Sequence, residues 1–194
     1  MGKLTGKEIL RQIELGHIEI DPFDKSQINP NSYNMRLAPE LKVYKPNYTY
    51  YMNGRKEVRL DAHAVNETED LIIPEKGLLL RPNTLYLGRT VERTFTDRYV
   101  PHLDGRSSTG RLGMFIHVTA GFGDIGFDGT WTLEIFVIHP LVIYPYDEIG
   151  QISFETVNGD TSYQYNGRYN HQYDVTESRF YMDKKGVFKD EQAL

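Results

Sequence analysis

The chain has 194 residues and no cysteine, with 22 basic side chains against 27 acidic ones and a formal charge of −5. This length suits one domain with a substantial core, and the missing cysteine excludes disulfides, thiol nucleophiles, iron–sulfur clusters and Cys-based zinc sites. The acidic balance argues against duplex nucleic acid or an anionic membrane as main partner. No apolar run is long enough to span a bilayer and Met1-Gly2-Lys3-Leu4 does not open a signal peptide, so a cytoplasmic protein is expected.

In chain order, the first element is a helix. Thr5 can cap it, Glu8 completes a capping box, and Leu4 can staple from outside. Ile9, Leu10 and Ile13 then share a face, and Gly16 is the stop. Beyond Asp21-Pro22 the segments are short, with aromatic, β-branched or alternating residues: 32–37, 41–44 and 85–89 read as strands. Asn29-Pro30-Asn31, Arg81-Pro82-Asn83 and Asn158-Gly159-Asp160 punctuate them. From Thr130 to Phe154 the chain reads as buried strands broken by His139-Pro140 and Pro145–Glu148. Many short strands after one N-terminal helix predict a mainly β fold, a barrel or jelly-roll-like sandwich. One domain over 1–194 is expected. Its polar, Tyr-rich stretch 158–194 has the texture of a tail that folds over something.

Three stretches carry chemistry. Gly105–Gly113 places two Arg, two Ser, one Thr and three Gly in nine positions. Hydroxyls, glycine-freed amides and guanidiniums are what a polyphosphate needs, although a glycine-rich turn with solvated arginines fits the spacing equally. In Thr119–Gly129, Asp124 sits in a glycine-rich turn, where it can bond a sugar hydroxyl, orient a water or simply make the turn. In Thr130–Val137, Glu134 is the only charge in an apolar strand. Burying it is costly unless it is paired, which suits a proton-transfer role. Thr132 and Glu134 share one face and Leu133 and Ile135 the other, so a solvent-facing Glu on an edge strand is the alternative.

Together these stretches resemble the dCTP deaminase branch of the dUTPase superfamily. Gly105–Gly113 matches that family's Gly-Arg-Ser-Ser-x-x-Arg-x-Gly. His117-Val118-Thr119-Ala120, the turn Asp124–Phe127 and Leu133-Glu134 follow in the family's order. Pro30–Leu37 resembles its early strand, and Tyr165, Arg168, Tyr169, Gln172, Thr176, Ser178 and Arg179 resemble its closing tail. Residues 48–70 show no match.

The resemblance implies a homotrimer of distorted β-barrel subunits with active sites between them. It places a triphosphate on Arg106, Ser107, Ser108, Thr109, Gly110 and Arg111, aided by Tyr165, Arg168 and Gln172. Asp124 would hold the 3′-hydroxyl, and Thr132, Leu133 and Glu134 would meet the base. Magnesium would ride on the triphosphate. The ligands implied are dCTP and, with it, dUTP and dTTP.

Replacing the cytosine amino group needs a water at C4, a base for its proton and an acid for N3 and the leaving amine. Zinc deaminases use a Cys/His-bound metal and a Glu shuttle; without Cys that signature cannot be completed and the route is closed. The resemblance gives the water to the Ser107 hydroxyl and Ala120 carbonyl, proton transfer to Glu134 and charge steering to Arg111. The main expectation is release of dUTP and ammonia from dCTP.

Two departures bear on this. Gly121-Phe122-Gly123-Asp124-Ile125-Gly126 lacks the family's Ile and Pro, so a looser turn is expected. Gly121-Phe122 also replaces the His-Arg of many dUTP-releasing members, which keeps open a bifunctional enzyme giving dUMP, ammonia and pyrophosphate. A plain dUTPase and a non-catalytic nucleotide-binding trimer are further alternatives. His17, His63 and His102 read as ordinary surface or loop residues, and His117 as structural.

Overall fold

The computed structural model describes residues 2–45, 48–50, 56–58 and 60–185. Its first element, α1 (Gly6–Glu14), begins as expected: Thr5 Oγ1 accepts from the Glu8 amide at 3.3 Å. The capping box is only half made, because Glu8 Oε1 takes Arg11 and Gln12 donors instead of turning back. Gly16 ends the helix region at φ +77, a conformation that costs glycine little.

Among the described residues thirteen strands follow: β1 (Ile18–Asp21), β2 (Tyr33–Arg36), β3 (Glu40–Tyr44), β4 (Tyr48–Tyr50), β5 (Lys56–Val58), β6 (Thr68–Ile72), β7 (Leu78–Leu80), β8 (Tyr86–Thr96), β9 (Val100–Gly105), β10 (Met114–Phe115), β11 (Asp128–Val137), β12 (Leu141–Ile143) and β13 (Glu148–Glu155). A short helix, α2 (Ser107–Arg111), links β9 to β10. The strand pairings are antiparallel. One sheet runs β10-β11-β8-β3-β6, with β1 also on β8; another runs β2-β13-β9. The pairs β7–β12 and β4–β5 stand apart.

The mainly β fold with an N-terminal helix is as expected, but the distorted barrel is corrected. Among the described residues the strands form four separate sheets around one core, and none closes on itself. Most strands span three to six residues, and Pro39, Pro74, Pro140 and Pro145, which have no amide to donate, stand in the breaks between them. Among the described residues the longest strands are β8 and β11, and their ladder shifts register at Trp131.

The core joins Ile9, Tyr33, Met35, Leu133, Ile135, Ile152 and Phe154, all fully buried. The inner face of β8 is polar: Thr90, Glu92, Thr94 and Thr96 are buried, with Glu92 at 0% exposure. Each finds a partner, as interior polar groups must. Arg36 Nε donates to Glu92 at 2.6 Å, Trp131 Nε1 to Thr94 at 2.9 Å, and the Trp131 amide to Thr90 at 2.9 Å. The Thr96 hydroxyl accepts from the Tyr99 amide.

The chain start is sewn to the end of β13. Leu4 N donates to Phe154 O, Thr156 N to Gly2 O, and Lys3 pairs with Glu155 at 2.8 Å. Among the described residues, no helix is long and apolar enough to cross a membrane.

Candidate active site

A cleft of about 700 Å³ opens beside β11. Alternation on this strand sends Trp131, Leu133, Ile135 and Val137 into the core and turns Thr132, Glu134 and Phe136 the other way, to the cleft wall. Because β11 is paired on both sides, by β8 and β10, Glu134 is not on an edge. Its amide is bonded to Ile116 O at 2.7 Å, while its carboxylate makes no hydrogen bond or ion pair with a described residue. An unpaired carboxylate at an aromatic wall is equipped to accept a proton and pass it on. Beside it, Thr132 Oγ1 is buried without a partner, as is Gln172 Oε1 on the same wall.

The glycine-rich turn adds Ala120 and Asp124 to the cleft lining. It is not loose. Gly121 O accepts from Leu103 N, Gly123 N donates to Pro101 O and Gly126 N to Thr96 O. Any Cβ at Gly123 would collide with Trp131 Cη2, so glycine is what lets the turn lie against the indole. His117 braces it by bonding Leu103 O through Nε2 at 2.8 Å, the structural role expected of it.

The tail closes the third side. Thr130 N donates to Gln172 O and Gln172 Nε2 back to Thr130 O at 3.0 Å. Around this pair Asp128 takes His171 N on its carbonyl and gives its own amide to Asn170, while Arg93 Nε holds its carboxylate at 2.5 Å. The result sets Tyr165 and Gln172 on the cleft, with Tyr165 tilted against Phe127 at 6.1 Å and Phe127 against Trp131 at 5.1 Å. Burial raises the Tyr165 phenol above its usual range, against a lowering by the Tyr169 amide it accepts from; Asp124 adds to the rise. The described part of the tail thus packs on β11 and lines the cleft; residues 186–194 of it lie outside the described residues.

Of the expected site residues, Ala120, Asp124, Thr132, Glu134, Tyr165 and Gln172 therefore meet at one cleft. Leu133 shares their strand, but its side chain is buried in the core. Arg106, Ser107, Ser108, Thr109, Gly110 and Arg111 stand elsewhere, along α2 and its cap, and Ser107, Ser108, Gly110 and Arg111 are exposed. Thr109 Oγ1 and Arg111 brace this turn on the carbonyls of Arg106 and Ser107. The Arg106 guanidinium pairs with the Glu148 carboxylate, which also accepts from Asn34 at 2.9 Å; Asn29 in turn bonds Asn34 at 2.6 Å. Arg168 lies within the tail, bonded to Arg179 O and Asp183, away from the cleft lining.

Sequence reasoning missed Tyr44, Trp131, Phe136 and the turn Asn83–Leu85 on the cleft. Asn83 carried a signal, since its turn was legible and it adopts φ +61, but a turn alone does not say what it faces. Among the described residues, no three His, Asp or Glu side chains gather as a metal cluster.

A family model described as dCTP deaminase-like matches residues 3–157. A protein of Clostridium botulinum strain Eklund 17B named "dCTP deaminase, dUMP-forming" is 54% identical over 93% of this chain and 97% of its own. Proteins of the same name from Clostridium beijerinckii and Leptospira biflexa are 51% and 49% identical, each over 93% of this chain and 97% of theirs. In fold, the chain resembles the crystal structure of the 2′-deoxycytidine 5′-triphosphate deaminase of Agrobacterium tumefaciens. The TM-score is 0.57 at 20% identity, covering 80% of this chain and about half, 48%, of that one. The relatives are named for forming dUMP, which overturns dUTP as the released product expected first.

Proposed function

Since this chain belongs to the dCTP deaminase-like family, we propose that it converts dCTP and two waters into dUMP, ammonia and diphosphate. One water replaces the amino group at C4, and the second cleaves between the α- and β-phosphates. The observation that carries the deaminating half is Glu134, unpaired on the cleft wall of a strand whose alternate side chains are locked in the core. The dUMP product is supported by relatives near 50% identity that share nearly the full length. Gly121-Phe122 in place of His-Arg agrees with it.

Glu134 takes the proton of the attacking water and returns protons to N3 and the departing amine. The Ala120 carbonyl helps hold that water, and Thr132 Oγ1 and the backbone at Leu133 meet the base. Asp124 accepts from the 3′-hydroxyl, with Tyr165 and Gln172 over the sugar and phosphates. Ser107 and Arg111 are assigned to the reacting water and its charge. Together with Arg106, Ser108, Thr109 and Gly110 they also cradle the triphosphate, and Arg168 joins them when the tail rearranges. Hydroxyls, amides and guanidiniums suit anionic oxygens and not a cation, so magnesium is assigned to the phosphates as part of the substrate.

Because α2 is exposed and absent from its own chain's cleft, we place it at the cleft of a neighbouring copy, in a homotrimer whose sites lie between subunits. The chain is read as one domain, 1–194, closed by the stretch from 158, acting in the cytoplasm. Incubating the protein with dCTP and magnesium while following ammonia and diphosphate together tests the reading. Both should appear in equal amounts. Ammonia without diphosphate, or diphosphate from dUTP with no ammonia from dCTP, would overturn it.

A further inference from the structure

The tail is tethered twice. The inner tether is the Asp128–Thr130 ladder with Asn170–Gln172. The outer one sits across the cleft mouth, on β3 and β6. There Glu177 Oε1 accepts from Lys42 Nζ at 2.5 Å and from Thr68 Oγ1 at 2.9 Å, and the Ser178 amide donates to Tyr44 Oη at 3.2 Å. Just beyond, Phe180 stacks on His63 with ring centroids 5.8 Å apart. Between the tethers Val175 is buried and Thr176 faces the cleft.

We propose that Lys42 and Glu177 are positioning residues for the nucleotide: a charge-assisted fastening that sets the tail at the height needed over the bound substrate. Three observations converge on it. Lys42 stands on an inner strand, opposite Leu87 on one side and Asp70 on the other, so its base cannot drift. The pair is partly shielded, with 25% and 36% side-chain exposure, and shares its oxygen with a hydroxyl, so it outperforms an open surface ion pair. Two donors, Lys42 Nζ and Thr68 Oγ1, converge on the same Glu177 oxygen, beside the cleft that Glu177 lines. The fastening also assigns a task to the end of the 48–70 stretch, which has no counterpart in the family resemblance: it carries Thr68 and His63 to the tail. The inference rests on the reading above that the tail closes over the nucleotide.

Charge reversal tests it. Lys42→Glu and Glu177→Lys should each raise KM for dCTP about tenfold, a change worth about 1.4 kcal/mol, while kcat holds within about twofold. The double variant should return KM to within about threefold of the native value. Glu177→Gln, the gentler change, should move KM the same way by a smaller factor. Amide hydrogen exchange at Ser178 and Arg179, without nucleotide, reads the fastening independently of turnover. It should quicken in each single variant and recover in the double. Unchanged exchange in the single variants, a double variant no better than they are, or quickened exchange with native KM would each overturn the proposal. If the native protein released no ammonia from dCTP, the functional reading would fail and the exchange pattern alone would decide the fastening.

Discussion

Glu134 owes its position to its neighbours on β11: Trp131, Leu133, Ile135 and Val137 are each buried, so the strand cannot slide without opening the core. Glu134→Gln preserves size and removes only the proton-accepting charge. Ammonia release should therefore fall by about 10² to 10⁴, while calorimetric affinity for dCTP stays within about threefold; retained turnover would remove Glu134 from its role. Gly123 offers a stability counterpart. A methyl there meets Trp131 and Pro101, and either the indole or the turn must move. Gly123→Ala should cost about 1–3 kcal/mol in thermal or urea unfolding, with Asp124 displaced along with the turn. The alternation that faces Thr132 and Glu134 together was legible from sequence, because a period of two needs no partner to be read. The tightness of the Asp124 turn was not, since it depends on Trp131 folding under Gly123 from a different strand.

At the level of elements, the outer tether implies a pH response. Burial works to raise the Glu177 carboxyl, but hydrogen bonds from Lys42 and Thr68 outweigh it and hold the group below the usual carboxylate range. The same bond holds Lys42 above its usual range. A lowered carboxyl contributes stability that is complete above its unfolded value, near 4.3, and is lost as pH falls through the folded one. A raised ammonium contributes below about 10.4 and is lost as pH climbs past its folded value. The outer tether should thus hold across neutral pH and loosen at both extremes. Carbon-13 NMR of the Glu177 carboxyl should give a midpoint below that of free glutamate, moving upward in Lys42→Met; a midpoint unmoved by that change would separate the two residues. Among the elements, α1 was readable from its own cap and face, but β8 was read only to Arg89 and runs to Thr96. Its second half puts Thr and Glu inside, and these become interior residues only because Arg36 and Trp131 arrive to satisfy them. The tail contacts are equally remote: Gln172 meets Thr130 and Glu177 meets Lys42, pairings no local pattern encodes.

For the whole molecule, the expected site residues divide between a cleft and an exposed turn, and the trimer proposed above would reunite them at a site shared between copies. Mixing Glu134→Gln with Arg111→Ala protein, each inactive alone, and reassembling them in equal amounts should restore about a quarter of native ammonia release, the chance that an intact cleft meets an intact α2. No recovery would place both halves of the site in one chain. The motif resemblance made the residues of both halves legible, but not their separation, because a linear motif carries no information on which copy supplies which side chain. The seam that ties Gly2 and Lys3 to Glu155 and Thr156 has a consequence for how such a site opens. It anchors the body at the residue where the tail departs, and the next anchors are Gln164, whose Nε2 donates to Asp97 O, and Tyr165, whose amide donates to Ile125 O. With every later contact released, Tyr165 still cannot stray more than about 30 Å from that root. Closure is then an intramolecular search at an effective concentration on the order of millimolar. For the tail closure proposed above, contacts individually too weak to recruit a separate chain would be sufficient.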